Sequence, residues 1–447
     1  MQWLDLNTNC SILKKMKLYS TNNRSLTVDF KTAVFNSLPA DKGLYMPSVL
    51  PKIDELTISG WKDKTLPQIA FDLAFALLKD DISAEDLKTI IDDAANFDAP
   101  LHQLTEKTFV LELFHGPSMA FKDFGGRFMS RIMAHFLKQE QKEVQILVAT
   151  SGDTGGAVAL GFLNVPGIKV TILYPKGKVS LIQELQLTTN GNNIAALEID
   201  GTFDDCQMLV KQAFLDRELN EKINLTSANS INISRLIPQM FYYANTYARL
   251  ADQFDNLIFI TPSGNFGNLT AGMMAWKMGL PVKQFIAATN SNDIIPKYLE
   301  SGNYQAKPSV HTLANAMDVG DPSNFVRIMN LFDNDMNALK TMLKSIAFDD
   351  EQIKQAIADV YRDHHYVLCP HTATGFLAAE AEKLKNVVKD TAYVILATAH
   401  PCKFPDVFKE LSIPFGEPEQ VLELKNKPKQ QRELGNSFEE FKRYLLS

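Results

Sequence analysis

Val144–Gly156 reads VQILVATSGDTGG. Val144 to Ala149 is a short apolar run of the kind buried on both faces of a parallel sheet. It runs directly into the polar, glycine-rich Thr150–Gly156, and a helical pattern follows from Ala157 to Leu163. The same grammar recurs at Leu257–Ile260, which leads into TPSGNFGN (Thr261–Asn268) and a helix over about 269–278. Further strands are expected at Val170–Tyr174, Ile194–Ile199, Lys283–Thr289 and Tyr393–Ala397, with a helical stretch over Phe203–Leu219 and another over Arg235–Ala251. Strands alternating with helices predict an α/β fold with parallel sheets flanked by helices.

In such sheets ligands bind at the carboxyl ends of strands, where these loops lie. In Ser263-Gly264-Asn265-Phe266-Gly267-Asn268 glycines allow close backbone approach, and free N–H groups at a helix start favour a phosphate. No Gly-Lys-Ser/Thr or GxGxxG is present, so neither a Walker loop nor a dinucleotide site is expected. The loop reads as a monophosphate cradle or as an ordinary βα turn. Thr150, Ser151 and Thr154 would suit a carboxylate in the same setting. Asp153 would repel an anion there unless it binds a hydroxyl or an amine. Ser227–Arg235 (SANSINISR) carries Asn229, Ser230, Asn232 and Arg235. These residues suit a second phosphate, or they cap the helix that follows.

One lysine stands out. Lys122, in FHGPSMAFKDFGGR (Phe114–Arg127), is flanked by Ala120, Phe121 and Phe124. An apolar setting lowers a lysine's pKa, and a neutral amine can attack a carbonyl. A solvated lysine at a helix start is the competing reading. Of the eight histidines, only His371 and His400 have glycine- or hydroxyl-rich neighbours, and no paired metal spacing occurs.

The chain has 447 residues, 45% hydrophobic and 22% charged, which predicts two or three domains. The formal net charge of −7 argues against a nucleic-acid binder. No apolar run approaches the ~20 residues of a membrane helix. Four cysteines without a CxxC pair suggest neither zinc nor disulfides, and the expected location is cytoplasmic. Residues 1–15 have no apolar core of a secretory signal and no arginine. They read as an extension of unassigned role before a second possible start at Met16. Organisation is expected as 16–98, an N-terminal unit; 99–250, with Lys122 and the carboxylate loop; 251–415, with the phosphate loop; and 416–447, a charged linker and helix.

Five segments in order, HGPSMAFKDFGGRF, TSGDTG, SANSINISRLIPQ, PSGNFGN and ATAHPCKF, together with MKLYSTN and DKGLYMP, resemble the threonine synthase family of pyridoxal-phosphate enzymes. The resemblance implies the fold-type II (tryptophan synthase β-like) architecture with an added N-terminal domain. It implies that Lys122 is the Schiff-base lysine and that Gly264, Asn265, Phe266, Gly267 and Asn268 hold the pyridoxal 5′-phosphate phosphate group. Thr398 would meet the pyridine nitrogen. Asp153 would face the ring oxygen, at a position where some relatives carry asparagine. Thr150, Ser151 and Thr154 would grip the substrate carboxylate, and Asn229, Ser230 and Arg235 its phosphate. The implied reaction converts O-phospho-L-homoserine and water to L-threonine and phosphate, with no metal, by a monomer or homodimer. A phospholyase of the same family, yielding a 2-oxo acid, and a non-catalytic nucleotide-binding module are the alternatives.

Overall fold

Val144–Ala149 is a strand in the middle of a parallel sheet, and the helix after it begins inside the glycine loop, at Asp153. A computed structural model describes residues 15–447 except 139, 141 and 386–389, so the 1–15 extension lies outside the described residues but for its last position. Near the N-terminus β1 (Lys17–Ser20) pairs antiparallel with β2 (Thr27–Asp29) and β3 (Tyr45–Pro47). A six-stranded sheet has the order β12-β11-β10-β13-β5-β4, and a five-stranded sheet the order β14-β8-β7-β6-β9. The first comprises β4 (Leu101–Thr105), β5 (Thr108–Glu112), β10 (Asn256–Pro262), β11 (Gln284–Thr289), β12 (Leu343–Ala347) and β13 (Thr391–Ala397). The second comprises β6 (Val144–Ala149), β7 (Ile168–Pro175), β8 (Ile194–Ile199), β9 (Leu225–Ser227) and β14 (Gln431–Leu434). All pairings in these two sheets are parallel except the β4–β5 hairpin. Every residue of β13 is buried, as expected of a strand covered on both faces.

Three sequence expectations change. The 250/251 division does not follow the sheets, because β4 and β5 join β10 and β13 in one ladder. The charged C-terminal stretch is not only a linker and helix. Its β14 pairs with β8, and Phe441 of the terminal helix is buried in the cluster of Cys206 and Leu209. The expected helix over 235–251 is two, Ile233–Leu236 and Gln239–Leu250, with Pro238 at the start of the second. Proline has no N–H to give and crowds the preceding turn, so the helix breaks there.

The site depends on how closely two helices approach. Lys122–Leu137 follows β5 and packs against Asp153–Phe162, which follows β6. A Cβ on Gly126 would lie 2.6 Å from the Ala157 carbonyl oxygen, and one on Gly161 would lie 2.9 Å from the Gly126 carbonyl carbon. Only glycines permit this crossing, and the crossing brings Lys122 against Asp153.

The N-terminal unit is locked to the same region. Ser37 Oγ donates to the Ser227 carbonyl at 2.8 Å. Fully buried Arg327 donates from Nη2 to the Tyr45 carbonyl at 2.9 Å and the Ile231 carbonyl at 2.6 Å.

Candidate active site

The carboxyl ends of β5, β6, β10 and β13 carry Lys122, Asp153, the Ser263–Asn268 loop and Thr398. Lys122 is the first residue of its helix. The segment before it lies along the segment after β13. Phe121 N–H donates to the Thr398 carbonyl at 2.9 Å, and His400 N–H donates to the Met119 carbonyl at 3.1 Å. The Lys122 side chain is 17% exposed, its Nζ 5.5 Å from the Phe121 ring centroid and 3.8 Å from Asp153 Oδ2. Burial pushes its pKa down to about 8; Asp153 pulls it up, and Lys403 and Arg235 push it down further. The apolar-pocket reading of Lys122 therefore holds over the solvated one.

Asp153 binds an amine, the exception the sequence reading left open for a carboxylate in an anion loop. The amine is Lys403. Its Nζ is 2.9 Å from Asp153 Oδ1, and the two side chains are 0% and 4% exposed. Gln183 Nε2 donates to the same oxygen at 3.1 Å. Burial raises the Asp153 pKa, but the charges of Lys403 and Lys122 and the Lys403 hydrogen bond outweigh it and hold the carboxyl well below its usual range. Thr150 turns inward, its Oγ1 accepting from the N–H groups of Gly152 and Gly155, both at 2.9 Å. Ser151 and Thr154 are half-buried in the same loop.

The Ser263–Asn268 loop has the open backbone that the cradle reading requires. Among the described residues, the N–H groups of Gly264, Asn265, Phe266, Gly267 and Asn268 find no hydrogen-bond acceptor. They open the helix Gly267–Lys277, whose dipole favours an anion. Phe266 bends the chain with φ of 60°. The Asn265 side chain braces the loop, donating to Ser230 Oγ at 2.8 Å and accepting from Ser323 N–H at 2.7 Å. Asn268 Nδ2 donates to the Pro262 carbonyl at 3.1 Å. Gly264 is confined by the single turn Asn315–Met317, since a Cβ there would lie 2.6 Å from Met317 Cα. That turn is held by His371, whose Nε2 accepts from Ala316 N–H at 3.2 Å. Gly264→Ala is expected to displace the loop and weaken binding of pyridoxal 5′-phosphate by at least about ten-fold, measured by absorbance titration of the apoprotein. Unchanged affinity would show that the loop does not hold the phosphate.

In the Ser227–Arg235 segment one residue is the cap that the sequence allows. Asn232 is the cap, its Oδ1 accepting from Ser234 N–H at 3.1 Å while Nδ2 donates to the Val34 carbonyl at 2.8 Å. Among the described residues Asn229 Oδ1 is sealed without a partner. Arg235, 2% exposed, gives Nη1 to the Ala228 carbonyl, and its Nε, beside Gly125, has no partner among the described residues. Burial pushes its pKa down to about 10. Ser230 joins this segment to the cradle through Asn265.

Sequence reasoning missed four groups. Lys403 was visible only as one residue of ATAHPCKF, and Gln183 carried no signal. Asp123 is fully buried, accepts from Ser118 N–H at 2.9 Å and is pushed up to about 6 by burial. The structural use of His371 was not readable either. Burial pushes both His371 and His400 down to about 4, so both are neutral near pH 7. Among the described residues no group of His, Cys, Asp and Glu could hold a metal, and no helix is long and apolar enough to cross a membrane.

The profile of the pyridoxal-phosphate dependent enzymes matches residues 94–399, that of the threonine synthase N terminus 17–95, and that of the threonine synthase C-terminal region 372–445. A threonine synthase from Haemophilus influenzae is 41% identical over 434 residues, covering 96% of this chain and all of the relative. The chain belongs to the threonine synthase family. The crystal structure of the Escherichia coli threonine synthase superposes with a TM-score of 0.88 at 40% identity, covering 96% of this chain and 99% of that one. A pyridoxal-phosphate-bound threonine synthase from Brucella melitensis gives a TM-score of 0.90 at 32% identity, covering 96% and 99%. Threonine synthases are pyridoxal-phosphate enzymes, and the fold is the fold-type II architecture expected from the sequence.

Proposed function

We propose that the protein converts O-phospho-L-homoserine and water to L-threonine and phosphate, with pyridoxal 5′-phosphate as cofactor. The observation that carries this reading is one largely buried amine, Lys122, in the same fold as a loop at a helix start whose N–H groups, among the described residues, have no acceptor. These residues fit the cofactor. Gly264 to Asn268 would hold its phosphate, Lys122 its aldehyde carbon and Thr398 its ring nitrogen. Asp153 Oδ2, which neither Lys403 nor Gln183 occupies, would meet the ring oxygen. When bound, the cofactor draws electrons away from the substrate's α-carbon.

The remaining steps belong to the chain. Ser151, Thr154 and the Thr150 loop backbone bind the α-carboxylate. Asn229, Ser230 and Arg235 bind the substrate's phosphate and keep it oriented as it leaves the γ-carbon. Lys122, with its pKa brought down to about 8, is neutral in part at working pH. It accepts the α-proton, passes protons to and from the β- and γ-carbons, and needs no imidazolium partner. This agrees with neutral His371 and His400.

Product analysis tests the assignment. L-threonine and inorganic phosphate in equal amounts are expected from O-phospho-L-homoserine; 2-oxobutyrate with ammonia would assign a phospholyase instead. We place the protein in the cytoplasm, without a nucleic-acid partner, as a monomer or homodimer, which light scattering would decide.

A further inference from the structure

We propose that Lys403 is a positioning residue of the reaction: it takes the Asp153 carboxylate as its standing partner and so leaves the Lys122 amine free to be neutral. The inference rests on Lys122 being the amine that carries the cofactor. Two amines compete for one carboxylate. Lys403 Nζ holds Asp153 Oδ1 at 2.9 Å, whereas Lys122 Nζ stands off from Oδ2 at 3.8 Å. Lys403 is 0% exposed and Lys122 17%, so the sealed lysine has the close contact and the accessible one does not.

The arrangement is built by the fold. Lys403 ends the turn Pro401–Lys403, set after β13 by His400, whose Nδ1 accepts from Cys402 N–H at 3.1 Å. Gln183, from the helix Leu181–Thr188, fixes the carboxylate with a third contact at 3.1 Å. Three neighbours act on the Lys122 charge: Asp153 favours it, and Lys403 and Arg235 disfavour it. Asp123, the next residue in the chain, accepts from Ser118 N–H, and its charge interacts with Lys403, Arg127 and Arg235. His371, on the helix Pro370–Lys385, is neutral.

Removing the Lys403 charge would leave Asp153 with Lys122 as its one cation within 4 Å. A buried carboxylate with one cation holds that cation in its charged form. Lys122 would then be held more of the time as an ammonium, the form that cannot attack a carbonyl or accept a proton.

The test is the pH dependence with which cofactor-free protein captures pyridoxal 5′-phosphate, trapped by borohydride and read as label on the Lys122 peptide. In the unmodified protein the capture rate should reach half its plateau near pH 8. Lys403→Gln keeps a hydrogen-bond donor for Asp153 but not the charge. It should move that midpoint up by about one unit, a roughly ten-fold slower capture at pH 7. Lys403→Arg should restore the midpoint. Asp153→Asn should move it down, so the two substitutions shift it in opposite directions. A role in folding alone would lower capture at every pH without moving the midpoint. Midpoints that do not move, or that move the same way in both variants, would overturn the proposal. Label absent from Lys122 in the unmodified protein would instead overturn the assignment of Lys122 itself.

Discussion

Lys122→Ala is expected to lower L-threonine formation by more than about a thousand-fold, because in the proposed mechanism the same amine would carry the cofactor and move the protons. The fold should not suffer. Burial pushes the Lys122 pKa from 10.5 to about 8, so the unfolded chain binds that proton more tightly than the folded one. The resulting cost is fully present below about pH 8 and is relieved as the pH rises towards 10.5. Lys122→Met removes the charge and leaves an apolar side chain of similar length beside the Phe121 ring. It should therefore raise the stability of the cofactor-free protein by roughly 1–3 kcal/mol at pH 7, read from the urea midpoint. A less stable Lys122→Met variant would mean that the lysine is a structural ion-pair partner and not a site held ready for chemistry.

Asp153→Ala should have the opposite effect on the fold. It takes from fully buried Lys403 its ion-pair partner and deprives Gln183 of its acceptor. Breaking a buried pair by removing one partner costs about 3–5 kcal/mol, measured here by chemical denaturation at pH 7. The pair also has a pH signature. The Asp153 carboxyl is held below its ordinary value in the folded state. The stability it contributes is therefore present above the unfolded value of about 3.9 and lost as the pH falls below it. The acid limb of the stability profile should be shallower in Asp153→Ala than in the unmodified protein. A loss under about 1 kcal/mol with an unchanged acid limb would show the Lys403–Asp153 contact to be energetically idle.

What could be read from the sequence was whatever is contiguous in it. The two glycine loops, the apolar-flanked lysine and the Asn/Ser/Arg segment each hold their chemistry within a dozen residues, and the parallel strands β6, β7, β8, β10, β11 and β13 announced themselves as apolar runs. What could not be read depends on contacts distant in sequence. Lys403 and Asp153 are 250 residues apart, so neither pattern named the other. The requirement for Gly126 comes from the Ala157 carbonyl on another helix, and that for Gly264 comes from Met317. β14 is four residues long with three of them exposed, so no apolar run marks it as a strand. The capping reading of Ser227–Arg235 holds for Asn232, and periodicity cannot show that Asn232 turns towards the backbone while Asn229 does not.

Borohydride reduction of the protein saturated with pyridoxal 5′-phosphate, followed by peptide mass mapping, tests the central claim most directly. The expected result is one phosphopyridoxyl group per chain, on Lys122. Label on Lys403 or on any other lysine, or no label at all, would contradict it.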